Sequence, residues 1–373
     1  MKGKVLIVYG GKSVEHDISV ITAMQTMKFL PKEYEFLPVY IDRVGKWWIG
    51  DNLSDIKIYS NFVKMSKKPR QVTLVFGQNA LFETKKNKLY KVCDIISVLN
   101  CCHGNVGEDG ALQGALKCCG IATTSSGVTS SALCMDKSFM KDIFQVNDIP
   151  SPTYVYFDRC AYERNAEKIV KEAESKIKYP MIVKPANLGS SIGISVCKTR
   201  KELTEALNLA FKFDSKILIE KLVENLKEFN CACFKFGRDY FSSAVNEVKN
   251  KKEIYTFEDK YLAREGKNQE VRNGIAKKVQ TLTELVYKRF DCKGVVRVDF
   301  LFDEKNDKLY VNEINSIPGS LAFYLFKDVP FKDLIGALVK QSVVDYSNEN
   351  ALIKTFDSDA LKLFEKVSIS LKK

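Results

Sequence analysis

The sequence predicts a multidomain chain of mixed class, α/β at its N-terminus and α+β beyond it. Three observations carry this. The first 125 residues alternate short apolar runs with helical patterns, and later strand-like runs gather around single helices. With 373 residues, 45% of them hydrophobic, the chain is also long enough for two or three cores. The first pattern implies a parallel, doubly wound domain over residues 1–125, followed by units at 126–223 and 224–373.

In the first unit the runs are KVLIVYGG, SVITAMQTMKFL, YEFLPVYI, QVTLVF, DIISVLNCCHG and GALQGALKCCG. Ligand groups are expected in the loops at strand ends, after Gly10 and after Cys102. The second unit contains YPMIVKPANLGSSIGISVCK, in which two strand-like runs flank a glycine–serine loop. Thr199 and Glu202 then have capping-box spacing, and Leu203, Ala206, Leu207, Ala210 and Phe211 form one helical face before the strand KILIEKLV. The third unit offers the strand FNCACFKF, a charged loop with YTFEDKYLAREGK, a helix near residues 275 to 290 and the hairpin VVRVDFLFDEKNDKLYVNEIN. The last forty residues read as helical with a lysine-ended tail.

Composition narrows the chemistry. Two histidines, His16 and His103, leave little material for a histidine-rich metal site or a histidine-centred triad, so carboxylates and lysines must do the work. The eleven cysteines lack zinc-type pairing with histidine and read as reduced, mostly buried small hydrophobes. A net charge of +12 comes from lysines scattered among glutamates, which argues against nucleic-acid binding and suits an anionic small ligand. No run of eighteen apolar residues and no signal-peptide pattern is present, so a cytoplasmic protein without a membrane partner is expected.

The hairpin is the most informative segment. Strand alternation puts Arg297 and Asp299 on one face and Glu313 and Asn315 on one face of the partner, with Asp299 roughly opposite Glu313. Two carboxylates and an amide oxygen converging there would suit Mg²⁺ bound together with phosphates; the alternative is a solvated strand face. The loop KPANLGSSIG, with Lys184 just upstream, has the glycines and hydroxyls to approach a phosphate but is neither a Walker A loop nor a Rossmann fingerprint. Glu220 and the backbone of Lys221 to Val223 lie at a strand end where an adenine edge can be read, and Glu228 is a carboxylate available to a ribose. Glu15, in a glycine-led loop, can bind an ammonium, and His103 occupies the corresponding loop of a later strand.

Taken in order, GGKSVEHDIS, HGNVGEDGALQG, SSALCMDKSFMK, IVKPANLGSSIGIS, EDKYL, VRVDFLF and NEINSIPG resemble the D-alanine:D-alanine ligase family of the ATP-grasp superfamily over roughly residues 4 to 320. The resemblance implies a two-part ATP-grasp fold after the N-terminal domain. ATP would lie between its two subdomains, with two Mg²⁺ ions (Mn²⁺ as substitute) bridging the phosphates to Asp299, Glu313 and Asn315. It implies nucleotide contacts from Lys137, Lys184, Lys260, Ser190 and Ser191, from Glu220, Lys221 and Val223, and from Glu228. Glu15 would hold the first ammonium and connect through Ser190 to Tyr261, whose tyrosine resembles the dipeptide-forming members. Arg297 and the Gly319 N–H would stabilise the oxyanion. His103, Ser320 and Leu321 would contact substrate, the last two through a local deletion after NEINSIPG.

The implied activity is ATP-dependent joining of two D-alanines through a D-alanyl phosphate, for peptidoglycan precursors, by a cytoplasmic homodimer. The shortened segment after Gly319 leaves D-serine, D-lactate or another small D-residue open as acceptor. A catalytically silent nucleotide-binding regulatory protein is the alternative from another class.

Overall fold

The computed structural model describes residues 3–65, 67–224, 226–248, 271 and 273–370. Its first sheet contains β1 (Lys4–Gly10), β2 (Phe36–Ile41), β3 (Trp47–Ile49), β4 (Arg70–Val75), β5 (Gln78–Lys85) and β6 (Lys88–Asn100), closed in that order into a barrel. Only β1 pairs in parallel, with β2 on one side and β6 on the other; the remaining pairs are antiparallel. The parallel doubly wound sheet expected from the apolar runs is therefore corrected to a mixed one.

The physical reason lies in the connections. A parallel crossover needs a dozen or more residues, whereas β5 and β6 are joined by Lys86 and Asn87 alone. Both residues have positive φ, 48° and 59°, the twist that a two-residue hairpin requires. Between β2 and β3 the Asp42 carboxylate accepts from the N–H groups of Val44 and Lys46, which fixes another tight turn. Neither turn carries an Asn-Gly or Asp-Gly signature.

The second sheet contains β7 (Tyr154–Asp158), β8 (Met181–Pro185), β9 (Ser195–Cys197) and β10 (Lys216–Lys221), in the order β7-β10-β8-β9. β8 and β9 pair antiparallel, so the glycine–serine loop does sit inside a hairpin. Thr199 caps the helix Arg200–Ala210 by accepting from Glu202 N, and that helix buries Leu203, Ala206, Leu207 and Ala210 as its periodicity predicts.

The third sheet is β11 (Leu226–Phe236), β12 (Asp239–Ser242), β13 (Asn246–Val248), β14 (Val296–Asp303) and β15 (Lys308–Asn315), in the order β12-β11-β14-β15 with β13 also on β11. Along β14 burial strictly alternates: Val296, Val298, Phe300 and Phe302 face the core, while Arg297 and Asp299 face the other way. Helix Asn273–Arg289 covers the core face. Helix Phe331–Asn350 returns to the N-terminal barrel, where Leu334, Ile335 and Leu338 share one core with Val5, Ile7 and Tyr9 of β1. All eleven cysteines are free and eight are buried, in keeping with their reading as small hydrophobes. Among the described residues no helix is long and apolar enough to cross a membrane.

Candidate active site

The β14–β15 hairpin forms the floor of the site. Its register pairs Asp299 with Glu313 and Arg297 with Asn315. Pairing slips by one residue after Asp299, because Phe300 faces Val311 and leaves Asn312 as the extra residue of a bulge. Without that bulge, counting from the turn would set Asn312 opposite Asp299. Arg297 grips Asp299 through two parallel bonds, Nε to Oδ1 at 2.6 Å and Nη2 to Oδ2 at 2.8 Å, and Asn315 Nδ2 donates to the same Oδ2 at 3.0 Å. On β11 Asn230 pairs with Asp299 from the other side, adding a largely buried amide that sequence reasoning did not single out.

Lysines rise from the second sheet and the helix before it. Asp136 caps helix Lys137–Val146 by accepting from the N–H groups of Ser138 and Phe139, which sets Lys137 at the first helical position. Lys137 Nζ donates to Leu188 O at 2.8 Å and lies 3.8 Å from Glu313 Oε2, so it ties the glycine loop to the hairpin. One turn later, Lys141 Nζ meets Glu220 Oε1 at 2.8 Å; Lys184 Nζ meets Glu220 Oε2 at 2.5 Å and Asn312 Oδ1 at 3.1 Å. Burial works against the charge of Glu220, but the ammonium groups of Lys141 and Lys184 outweigh it and hold its pKa near 2. Burial also lowers the pKa of Lys141, against the pull of Glu220.

The glycine loop closes over Glu15. Ser190 Oγ donates to Glu15 Oε1 at 2.5 Å, and a Cβ on Gly189 would come within 2.7 Å of Glu15 Oε2, so a side chain there would push the carboxylate from its present place. Ser190 and Ser191 both hold positive φ, 54° and 58°. On the other side lies the loop after β6. Glu108 accepts from Gly104 N at 2.7 Å and from Ile317 N at 3.0 Å, which joins that loop to the segment after β15. Burial, with the Glu15 carboxylate adding to it, raises the Glu108 pKa to about 8. Burial, helped by the charge of Arg297, lowers that of His103 to about 4. His103 Nδ1 and Glu108 Oε2 are 3.9 Å apart, but a neutral imidazole beside a protonated carboxyl is no ion pair.

Beyond Gly319 the chain makes a tight turn, Gly319–Leu325. Ser320 N donates to Thr22 Oγ1 at 3.0 Å, and the Ser320 hydroxyl donates to Gln25 Oε1. Leu321 is buried in the core.

Thus the structure brings together Glu15 with Ser190, Arg297 with Asp299, Glu313 and Asn315, Lys137 with Glu313, and Lys184 with Glu220. Lys221 closes β10, where its N–H donates to Thr153 O at 2.8 Å, and Val223 follows it. Glu228 lies two residues from Asn230 on β11, half-buried. Lys260, Tyr261 and the charged loop around them lie outside the described residues. Sequence reasoning missed Lys141 and Glu108, although both sit inside quoted motifs: Lys141 stands four residues after Lys137, and Glu108 five after His103. Asn312 was hidden by the bulge.

Residues 4–126 match the family described as D-ala D-ala ligase N-terminus, and residues 143–340 the one described as D-ala D-ala ligase C-terminus. The D-alanine–D-alanine ligase of Thermosipho melanesiensis is 34% identical over 367 residues, covering 96% of this chain and 98% of its own. That of Chloroherpeton thalassium is 36% identical over 363 residues, covering 93% and 98%. Among solved structures, the D-alanine–D-alanine ligase of Helicobacter pylori matches with a TM-score of 0.75 at 26% identity over 90% of this chain and 98% of that one. The VanG D-Ala:D-Ser ligase of Enterococcus faecalis shares the fold, with a TM-score of 0.78 at 24% identity over 92% and 100%.

Proposed function

The chain belongs to the D-alanine–D-alanine ligase family, and from that premise we infer that it joins two D-alanines at the expense of ATP through a D-alanyl phosphate. The observation that carries this reading is the convergence of Arg297, Asp299, Glu313 and Asn315 on one hairpin face, linked by Lys137 to a glycine loop that lies on Glu15.

The donor set fits Mg²⁺. Two carboxylates and an amide oxygen share the hairpin face, the hard oxygen donors that Mg²⁺ takes, and Arg297 and Lys137 lie against the two carboxylates. Asp299, Glu313 and Asn315 would hold the metal, which when bound neutralises charge on the nucleotide phosphates.

The remaining roles fall to the chain's own groups. Glu15 receives the ammonium of the first D-alanine, and the Ser190 bond keeps the carboxylate aimed and the loop shut over it. Lys137 and Lys184 carry positive charge to the phosphates. The first carboxylate attacks the γ-phosphate and ADP leaves; the second amine, freed of its proton, then attacks the acyl carbon and phosphate leaves. Arg297, oriented by its two bonds to Asp299, and the Gly319 N–H stabilise the oxyanion formed at that step. A closed glycine loop keeps water from the acyl phosphate.

Purified protein given ATP, Mg²⁺ and D-alanine should produce ADP and D-alanyl-D-alanine in equal amounts. ADP formation that requires D-serine or D-lactate would reassign the acceptor, and nucleotide binding without turnover would favour the silent regulatory protein. Arg297→Ala should lower kcat by roughly 10² to 10³ while nucleotide affinity stays within a few-fold. Equal turnover by both proteins would remove the oxyanion role.

A further inference from the structure

Ser320, Leu321 and Ala322 stand in consecutive left-handed conformations, with φ of 55°, 51° and 49°. Residues with a Cβ disfavour this region singly, and three in a row persist only where the surroundings over-determine them. Part of the hold is burial, since Leu321 and Ala322 lie in the core shared with Val20 and Ala23. The rest comes from one helix, His16–Met27. Its Thr22 hydroxyl accepts from Ser320 N at 3.0 Å and lies 2.8 Å from His103 Nε2, while Gln25 Oε1 accepts the Ser320 hydroxyl proton.

The same helix begins directly after Glu15, which holds its N-cap position. Thr22 follows seven residues later, two helical turns along the same side, and Gln25 three residues after that. A single rigid element therefore anchors both the carboxylate for the donor's ammonium and the serine that follows the oxyanion glycine. Gln25 itself touches neither reacting group in this arrangement; it acts through Ser320.

We propose that Thr22 and Gln25 are acceptor-positioning residues: by clamping Ser320 to the helix that starts at Glu15, they fix the span between the two substrate subsites and restrict the acceptor to a small D-amino acid. This rests on the ligase reading above and deepens it by naming what sets acceptor size.

The test is steady-state kinetics of full-length Gln25→Met and Ser320→Gly, with the KM of each D-alanine resolved and ADP release measured against D-alanine, D-serine and D-2-aminobutyrate. Met preserves bulk and helix while removing the bond, and Gly keeps the left-handed turn without the hydroxyl. Each variant should raise the acceptor KM about tenfold, leave the donor KM within twofold and narrow the preference for D-alanine over the larger acceptors. The double variant should be no worse than either single one, because both remove one bond. An unchanged acceptor KM, or equal loss at both subsites, would overturn the proposal while wild-type turnover stands. A wild-type protein that makes no ADP from D-alanine would instead sink the ligase reading, and this inference with it.

Discussion

Glu220 on β10 and Glu108 in the loop after β6 are both enclosed carboxylates, yet burial ends in opposite protonation states. Glu220 faces the ammonium groups of Lys141 and Lys184 and keeps its charge down to about pH 2. Glu108 faces Glu15, and even with backbone donors from Gly104 and Ile317 it gives up its proton only near pH 8. Burial by itself pushes a carboxylate toward its neutral form: two ammonium groups overturn that at Glu220 and make it a strut, whereas the Glu15 carboxylate adds to it at Glu108 and leaves a neutral wedge. The strut joins Lys141 of the helix Lys137–Val146 to Lys184 of β8, the latter proposed above to reach the phosphates. The wedge lies beside Glu15, the carboxylate proposed above to receive the ammonium of the first D-alanine.

The largest break in this comparison is Glu220→Gln. The substitution preserves shape but leaves two buried ammonium groups without their counter-charge, so it should cost about 3–5 kcal/mol of unfolding free energy. Denaturant titration measures it. A loss under about 1 kcal/mol, of the size seen for surface pairs, would mean that the lysines find other partners and that Glu220 is no strut.

Next in size is the pH dependence, where the two glutamates pull in opposite directions. The folded pKa of Glu220 lies below the ordinary 4.5, so its contribution is present above pH 4.5 and is lost as pH falls toward 2. The folded pKa of Glu108 lies above 4.5, so its contribution is complete below pH 4.5 and is lost as pH rises through 8. His103, lowered from 6.5 to about 4, binds its proton more readily unfolded and loses stability as pH falls from 6.5 to 4, offsetting Glu108 there. The clear window is therefore between pH 6.5 and 8, where wild type should lose about 2 kcal/mol at a slope near one proton. Glu108→Gln should flatten that slope. An unaltered slope would show that Glu108 ionises normally.

Much of this contrast was legible in the sequence and some was not, for reasons that particular residues make plain. Period-two alternation gave the faces of β14 correctly, because one face must enter the core, and so Arg297 and Asp299 fell together. The Asp299–Glu313 pairing depends on a bulge at Asn312 that no local pattern announces. The barrel was misread as a parallel sheet because apolar runs report burial but not strand direction, and the deciding turn, Lys86–Asn87, uses residues common on any surface. Nothing in the helical pattern of residues 137–146 sets Lys141 apart. Its partner is Glu220, 79 positions away and invisible to a helical wheel.

The smallest expected effect sharpens the comparison from outside. Lys216 and Asp136 form a 2.7 Å ion pair beside the same helix, and Lys216 also lies 3.8 Å over the Phe139 ring, but its side chain is 22% exposed. Water reaches the lysine end of this pair, so its Coulomb gain is screened, and the Asp136 carboxylate left behind still accepts from Ser138 N, Ser138 Oγ and Phe139 N. Lys216→Met should therefore cost at most about 1 kcal/mol, with a further decrease in added salt, although this ammonium–carboxylate pair is as close as Lys141–Glu220. If Lys216→Met destabilises as much as Glu220→Gln in the same titration, charge pairing alone governs both places. Enclosure then ceases to explain why one carboxylate of this site is a strut and the other a wedge.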